Sequence, residues 1–141
     1  MTTAMASLRP IHLFAALAAT AAIAGGVWLL RSYDPNAANS IFPPCMFKAF
    51  TGYHCIGCGL TRALHALAHG DIGRAFAMNP LAMVVLPLLP LMVLDARGTM
   101  PQALKPFMSV VMTPKLWLVL LPAYWVARNL PWWPFTWLAP G

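Results

Sequence analysis

The sequence predicts an all-α integral membrane protein with about three transmembrane helices, a cysteine-rich loop and a short amphipathic helix at the membrane surface. Three observations support this prediction. Hydrophobic residues make up 60% of the 141 positions, charged residues make up only 9%, and the mean hydropathy is +0.69, whereas soluble domains carry about 25% charged residues. An uncharged segment near the N-terminus is long enough to cross a bilayer. Prolines and glycines divide the remaining apolar sequence into further segments. We therefore expect one membrane domain over residues 1–141.

The first predicted span is residues 11–30, which contain no charged residue and lie between Arg9 and Arg31. A helix of this length reaches about 30 Å, the thickness of one hydrocarbon core. A cleaved secretory signal peptide is the alternative, because the small residues Ala22–Ala24 follow a basic start and an alanine-rich segment. The apolar sequence continues beyond that site to Leu30, which favours an uncleaved span.

Two further spans are predicted, and each contains proline. The second covers residues 75–94 and includes three prolines, which should kink the helix where neighbouring groups satisfy the freed carbonyls. The third covers residues 114–130 and includes both Pro122 and Arg128. A short tail rich in tryptophan and proline follows, which is typical of an aromatic belt at the membrane interface.

Residues 43–70 contain the cysteine-rich loop and the amphipathic helix. The apolar face of that helix consists of Leu60, Leu64 and Leu67. Its polar face consists of Arg62, His65 and His69. This spacing predicts a helix that lies along the interface rather than across the membrane. Gly70 is well placed to end it, and Asp71 to cap the next helix.

The net charge of +6 comes from nine basic residues against three aspartates. The basic residues are spread along the chain, and no nucleic-acid-binding motif accompanies them, so we expect no nucleic acid partner. Anionic lipid head groups favour cations at helix ends. The predicted partners are the lipid bilayer and, in one interpretation, another membrane protein. The charges on the two sides of the predicted spans are too evenly divided to orient the chain.

All three cysteines lie in the loop, spaced as Cys45-x9-Cys55-x2-Cys58 and followed directly by Gly59. Covalent haem attachment would require histidine after the second cysteine of the pair, so it is excluded. Two cysteines separated by two residues can direct both sulfurs at one tetrahedral ion, and Cys45 can supply a third. Gly57 and Gly59 are expected to adopt the positive φ of such a tight turn. The sequence therefore predicts a site for zinc or another thiophilic metal.

The fourth ligand is less well defined by the sequence. His65 would lie about 10 Å along a helix that begins at Cys58, and His69 about 16 Å, so His65 is the candidate and His69 would need a bend. His54 is nearer in sequence, but because it is adjacent to Cys55 its side chain is expected to point away. Arg62 is expected to hold the loop through charge-assisted hydrogen bonds.

Two alternatives to the metal site remain open. Cys55 and Cys58 at the start of a helix, with Arg62 nearby, could form a membrane thiol–disulfide oxidoreductase, although no βαβ pattern surrounds them. One structural disulfide could instead pin the loop, in which case the protein would be an interaction subunit of a membrane complex. A non-enzymatic role is the favoured interpretation. Asn79, inside the second span, is expected to bond a neighbouring helix.

The segment from Asp34 to Pro80 resembles the bacterial membrane proteins grouped as Domain of Unknown Function 2752. The resemblance rests on the Cys-x-Gly-Cys-Gly-x-Thr-Arg motif, on the Phe-Pro-Pro-Cys sequence before it and on the His-Gly-Asp sequence after it. The matching positions outside the cysteines include Gly57, Gly59, Thr61, Arg62, Asp71 and Asn79. Met46 and Ile56 stand where prolines are usual in the family. The resemblance implies a multi-pass protein of the bacterial inner membrane with the cysteines outside the cytoplasm, and it brings no established activity, cofactor or partner.

Overall fold

The computed structural model describes residues 10–140, and within them every regular element is helical. The α-helices are α1 (Pro10–Ser32), α2 (Met46–Thr51), α3 (Leu60–Ala68), α4 (Ile72–Met78), α5 (Pro80–Ala96), α6 (Lys105–Val111) and α7 (Pro114–Ala127). Two 3₁₀ turns, Gln102–Leu104 and Phe135–Leu138, precede α6 and follow α7. The all-helical class predicted from the sequence is confirmed for this part of the chain.

Helix α1 is long, apolar and fastened at its C-terminal end to α3. The Arg31 Nε donates to the Ala68 carbonyl at 2.8 Å, and the His65 Nδ1 donates to the Leu30 carbonyl at 2.6 Å. None of its most apolar stretch, within Leu13–Ser32, is buried against the rest of the protein. The structure therefore fixes where α1 ends relative to the cysteine loop, and it leaves the helix sides uncovered.

The first core cluster joins α3 to α4 through small residues. Ala63 and Ala66 of α3 are buried against Ala75 and Met78 of α4. Between the helices, Gly70 has φ 82°, and the Asp71 N–H bonds the Ala66 carbonyl at 2.9 Å, a Schellman ending that requires the left-handed conformation. Alanines allow this close packing because they present no bulky side chain.

The leucines predicted to form the apolar face of α3 are not its buried residues. Leu60 and Leu67 are both exposed, because α4 packs on the alanine face instead. The Asp71 carboxylate caps α4 by accepting the Arg74 N–H at 2.9 Å, as its position before the helix indicates.

The chain breaks sharply at Asn79, inside the segment predicted as one kinked span. Helices α4 and α5 meet at 113°. Pro80 is the first residue of α5 and disfavours helical geometry at the residue before it, and Asn79 has extended backbone, with φ −156°. The expected kink at Pro80 is thus a complete break, whereas Pro87 and Pro90 lie inside α5 without ending it.

The second core cluster joins α5, α6 and α7. Met100, Met108 and Val111 are its buried residues, and the Trp117 indole donates to the Val111 carbonyl at 2.7 Å across the α6–α7 junction. Helix α7 ends at Ala127, so the helix is shorter than the predicted segment 114–130. Arg128 and Asn129 lie beyond its end rather than within it.

Only α1, of the described helices, is by itself long and apolar enough to cross a membrane. The count rises to three if each of two bent helix pairs forms one broken span: α4 with α5, and Gln102–Val111 with α7 at 56°. Both counts rest on the length and composition of the helices. The break at Asn79 and the end of α7 both lie beside the cysteine loop, and this arrangement builds the site.

Candidate metal centre

The three cysteine sulfurs lie together at one point of the loop. Cys45 precedes α2, while Cys55 and Cys58 flank the turn that leads into α3. The Cys55 Sγ is 3.3 Å from the Cys45 Sγ and 3.2 Å from the Cys58 Sγ, and all three atoms lie within 4.8 Å of one another. The distant Cys45 predicted as a third ligand is therefore brought to the pair.

No two of these sulfurs are at disulfide bonding distance, and all three cysteines of the chain are free. A disulfide would need a separation of about 2.05 Å. In a tetrahedral site with Zn–S bonds near 2.3 Å, sulfurs are about 3.8 Å apart. The observed separations are much closer to the second value, so the side chains would need to spread only slightly to enclose an ion.

Arg128 holds the backbone of the cysteine loop, and the hydrogen bonds expected from Arg62 stay a prediction. The Arg128 Nη1 donates to the carbonyls of Cys55 at 3.1 Å and Ile56 at 2.8 Å, and its Nη2 donates to the carbonyl of Cys58 at 3.0 Å. Its side chain is only 1% exposed. On the same turn, the Cys55 N–H donates to the Cys58 Sγ at 3.1 Å.

Asn79 supports the same loop from the α4–α5 break. Its Nδ2 donates to the carbonyls of Ile56 and Cys58, each at 3.2 Å. Its Oδ1 accepts the Ala82 N–H at 3.0 Å, which caps α5, and the Tyr124 hydroxyl of α7 at 3.3 Å. The side chain is 2% exposed. Asn79 thus ties together the helix break, the cysteine loop and α7.

Residues at the end of α7 hold the backbone of His54 through hydrogen bonds. Asn129 brackets its backbone, accepting the His54 N–H at 2.7 Å and donating to the His54 carbonyl at 2.9 Å. The Trp125 indole donates to the same carbonyl at 2.9 Å. Together with Arg128, these residues hold the loop by contacts some seventy positions away in sequence.

The two glycines of the motif play different roles. Gly59 has φ 80°, and a Cβ there would collide with the Met78 carbonyl oxygen and with Pro140. Gly57 lies in open space and does not have positive φ, so the positive φ predicted for it is wrong. Glycine is required at Gly59 both by backbone conformation and by the close approach of α4.

The thiols of the cluster differ in acidity. The Lys48 N–H in the first turn of α2, followed by the bond with Cys55, lowers the pKa of Cys45 to about 7. Burial, followed by the bond with Cys55, raises the pKa of the Cys58 thiol to about 12. In the metal-free protein the Cys45 thiol is therefore ionised more readily than the Cys58 thiol.

The structure does not bring His65 into the group of sulfurs. Its Nδ1 bonds the Leu30 carbonyl, its Nε2 faces the Asp34 carboxylate at 3.8 Å, and its ring lies against His69 with centroids 4.4 Å apart. These contacts place His65 at the junction of α1 and α3. The fourth metal ligand is thus not supplied by this residue in the observed arrangement.

A cavity of about 610 Å³ opens in front of the cysteines. Cys45 and Cys58 line it, together with His54, Thr61 and Arg62. His54 was expected to point its ring away from the sulfurs; it is not in the group of possible metal ligands, and its Nδ1 is buried without a hydrogen-bond partner among the described residues. Burial, reinforced by the charges of Lys48, Arg128 and Arg62, lowers the pKa of His54.

Sequence reasoning missed Arg128, Asn129 and Trp125 as parts of the site. One signal was available for Arg128, because an arginine next to a long apolar segment is costly unless it has a buried partner. The sequence does not say which partner that is. Only the folding of α7 against the loop identifies the three carbonyls.

Comparison with known proteins agrees with the pattern of the cysteine loop. No curated protein and no solved structure shows significant similarity to the chain. Residues 45–93 match the family model described as "Protein of unknown function (DUF2752)", and this segment includes all three cysteines, Asn79 and most of α5. Over residues 45–93, the chain therefore resembles the DUF2752 family, as its motif predicted.

Proposed function

We propose that the chain is a small multi-pass membrane protein that carries a thiolate metal site at the membrane surface. Exposed apolar surface supports the membrane location: on α1, Phe14 is 77% exposed, and on α7, Leu118 is 73% exposed. Soluble monomers rarely leave such large apolar patches uncovered. In this proposal α1 crosses the bilayer once, and each bent helix pair forms one broken span.

The contacts at the end of α1 support a position of the site at one face of the membrane. The bonds from Arg31 to α3 and from His65 to α1 fasten the amphipathic helix where α1 ends. Phe50 beside the loop and Trp133 and Trp137 in the tail are all more than 75% exposed. Aromatic side chains of this kind are stabilised at head-group depth.

The observation that carries the metal proposal is the buried guanidinium behind three clustered sulfurs. Among the described residues, Arg128 donates hydrogen bonds only to carbonyl oxygens, its guanidinium carbon lies 5.2 Å from the centroid of the Tyr124 ring, and none of the three aspartates contacts it. Burying an unpaired charge costs several kcal/mol. A divalent ion bound by three thiolates carries one net negative charge, which would offset the arginine charge. Neutral thiols or a disulfide would leave that charge without an anion.

The ligands we propose are Cys45, Cys55 and Cys58, with zinc or another thiophilic metal. Hydrogen bonds from the loop N–H groups and the fixed orientation of the carbonyls would support the sulfurs, as groups around metal ligands commonly do. A tetrahedral ion would need a fourth ligand in addition to these three sulfurs. In this proposal the bound metal stabilises the loop, because binding and folding are coupled.

Metal analysis combined with thiol counting on one purified sample tests the proposal. We expect about one equivalent of metal per chain, and three reactive thiols only after chelation. Substitution of any one cysteine by serine should release the ion, with Cys45→Ser as damaging as Cys58→Ser. A purified protein that is fully folded and contains no metal would contradict the proposal.

A thiol–disulfide oxidoreductase is the second candidate, and the position of Cys55 supports it. Its sulfur lies within 3.3 Å of both neighbours, so it could pair with either. The acidities favour Cys45 rather than Cys58 as the attacking thiolate, which differs from the Cys55/Cys58 pair suggested by the spacing. This reading predicts metal-free protein in which Cys45 and Cys55 cycle between thiol and disulfide.

We further propose that the loop faces the outside of the bacterial inner membrane. An added cysteine at the exposed Asn39 would report this in a variant whose native cysteines are serines. We expect an impermeant maleimide to label it in intact cells. Labelling only after permeabilisation would reverse the orientation, and recovery of the protein in the soluble fraction would contradict the membrane location itself.

A further inference from the structure

The candidate metal site offers three sulfurs, and the chain contains no fourth cysteine that could complete a tetrahedron. Among the described residues, the group of possible ligands consists of Cys45, Cys55 and Cys58, and no histidine or aspartate joins it. Structural zinc sites are almost always tetrahedral, with four ligands from the protein. The donor set of this chain is therefore one ligand short of a structural zinc site.

His65, the fourth ligand suggested by the sequence, is held at the end of α1. Its Nδ1 bonds the Leu30 carbonyl at 2.6 Å, and its Nε2 faces the Asp34 carboxylate at 3.8 Å. That carboxylate also accepts two hydrogen bonds from Asn36. To reach the sulfurs, His65 would have to break the bond that fastens α3 to α1, and Asp34 would have to leave both of its partners.

His54 is nearer in sequence, and its backbone is fixed by the end of α7. Asn129 accepts the His54 N–H at 2.7 Å and donates to the His54 carbonyl at 2.9 Å, and the Trp125 indole donates to the same carbonyl at 2.9 Å. A movement of the main chain that carried the imidazole to the sulfurs would break these three bonds. Of the histidine side chains that the structure describes, none is thus positioned as a metal ligand.

We propose that the site binds monovalent copper, Cu(I), through three thiolates and no other ligand. This inference rests on the proposed metal site and specifies its ion. Thiolates are soft ligands that select Cu(I) as well as zinc. Cu(I) is stable at the centre of a triangle of sulfurs, so the three cysteines satisfy it. Zinc in the same place would have to take a water or another added molecule as its fourth ligand.

The charges around the sulfurs suit a monovalent ion. Cu(I) with three thiolates carries two negative charges, one more than zinc would leave. Arg128 bonds the carbonyls of the cysteine loop. Lys48 lines the cavity in front of Cys45 and Cys58, and no aspartate or glutamate is among the lining residues. Two cations therefore lie near the cluster, and the Cys55 N–H donates to the Cys58 Sγ at 3.1 Å, a type of bond that supports a thiolate ligand.

X-ray absorption spectroscopy at the copper and zinc edges tests the coordination. Purified full-length protein, reduced and freed of metal by chelation, would be loaded under anaerobic conditions with one equivalent of Cu(I) or of Zn²⁺. We expect copper with three sulfur neighbours and no nitrogen or oxygen, and zinc with three sulfurs and one oxygen or nitrogen. With equal amounts of both ions present, copper should occupy the site. Cys45→Ser should release copper to a competing Cu(I) chelator that does not remove it from the parent.

His65→Gln and Met46→Leu are the matched controls. Met46 is exposed beside Cys45, so its thioether is the nearest other sulfur in sequence. Both variants should keep three sulfurs on copper and bind Cu(I) within about twofold of the parent. A nitrogen ligand on copper, a weakened site in either control variant, or occupancy by zinc when both ions are present would overturn the inference and leave the proposed metal site standing. Parent protein that binds neither ion would refute the metal site itself, and the inference with it.

Discussion

Replacing Arg128 by methionine would remove the charge next to the cysteine loop and keep an unbranched side chain that matches the aliphatic part of the arginine. The guanidinium makes three hydrogen bonds, to the carbonyls of Cys55, Ile56 and Cys58. Each carbonyl keeps a second donor, because the Cys58 N–H bonds the first and the Asn79 amide bonds the other two. We therefore assign about 1 kcal/mol to each lost bond, which is less than the roughly 1.5–3 kcal/mol usual for a charged donor.

The total of about 3 kcal/mol corresponds to a roughly 100-fold loss of affinity for metal, if the loop must be held in place for the sulfurs to bind. This equals the upper end of the effect seen when groups that support metal ligands are removed. Competition with a chromophoric zinc chelator on purified protein would measure the affinity. Arg97→Met is the matched control, because Arg97 also caps the C-terminus of a helix, α5, but is exposed.

The expected result is a large loss for Arg128→Met and a change within about twofold for Arg97→Met. Equal affinities in Arg128→Met and the parent would refute the reasoning, because the loop carbonyls would then need no buried cation. Equal losses in both variants would point to a general effect of removing positive charge, and would also refute it.

Three other predictions concern the loop and its support. Gly59→Ala should lower the free energy of unfolding by at least about 1–2 kcal/mol, because Gly59 has positive φ and lies against α4. Gly57→Ala should leave the stability nearly unchanged. Thermal unfolding that shows similar losses for both variants would contradict this prediction. Asn79→Ala should cost about 2–3 kcal/mol, since a cap and two loop bonds are lost, and chemical denaturation showing under about 0.5 kcal/mol would contradict it. In metal-free protein, alkylation of Cys45 should rise as pH passes through its pKa of about 7, because a lowered pKa yields thiolate above that pH. Cys58, with its pKa raised to about 12, should remain unmodified near neutral pH; residue-specific mass spectrometry showing equal rates would be the contrary result.

Much of the local structure was predictable because it depends on neighbouring residues. The cysteine spacing predicts a two-sulfur turn before a helix, and Cys55 and Cys58 occupy such a turn. Gly70 and Asp71 end one helix and begin the next through their own backbone and side chain. The same local reasoning failed at Gly57, whose turn does not need positive φ.

The sequence by itself determined that the described chain is helical, that its first helix is long and apolar enough to cross a membrane, and that its cysteines belong to one loop. These properties follow from composition, periodicity and short-range spacing. The tertiary structure alone decided that Cys45 joins the pair, that His65 turns to α1, and that Arg128 and Asn79 hold the loop carbonyls. The contacts between the end of α7 and the cysteine loop join residues about seventy positions apart. They depend on the direction of α5 after the break at Asn79 and on the position of α7, and neither can be read from a local sequence pattern.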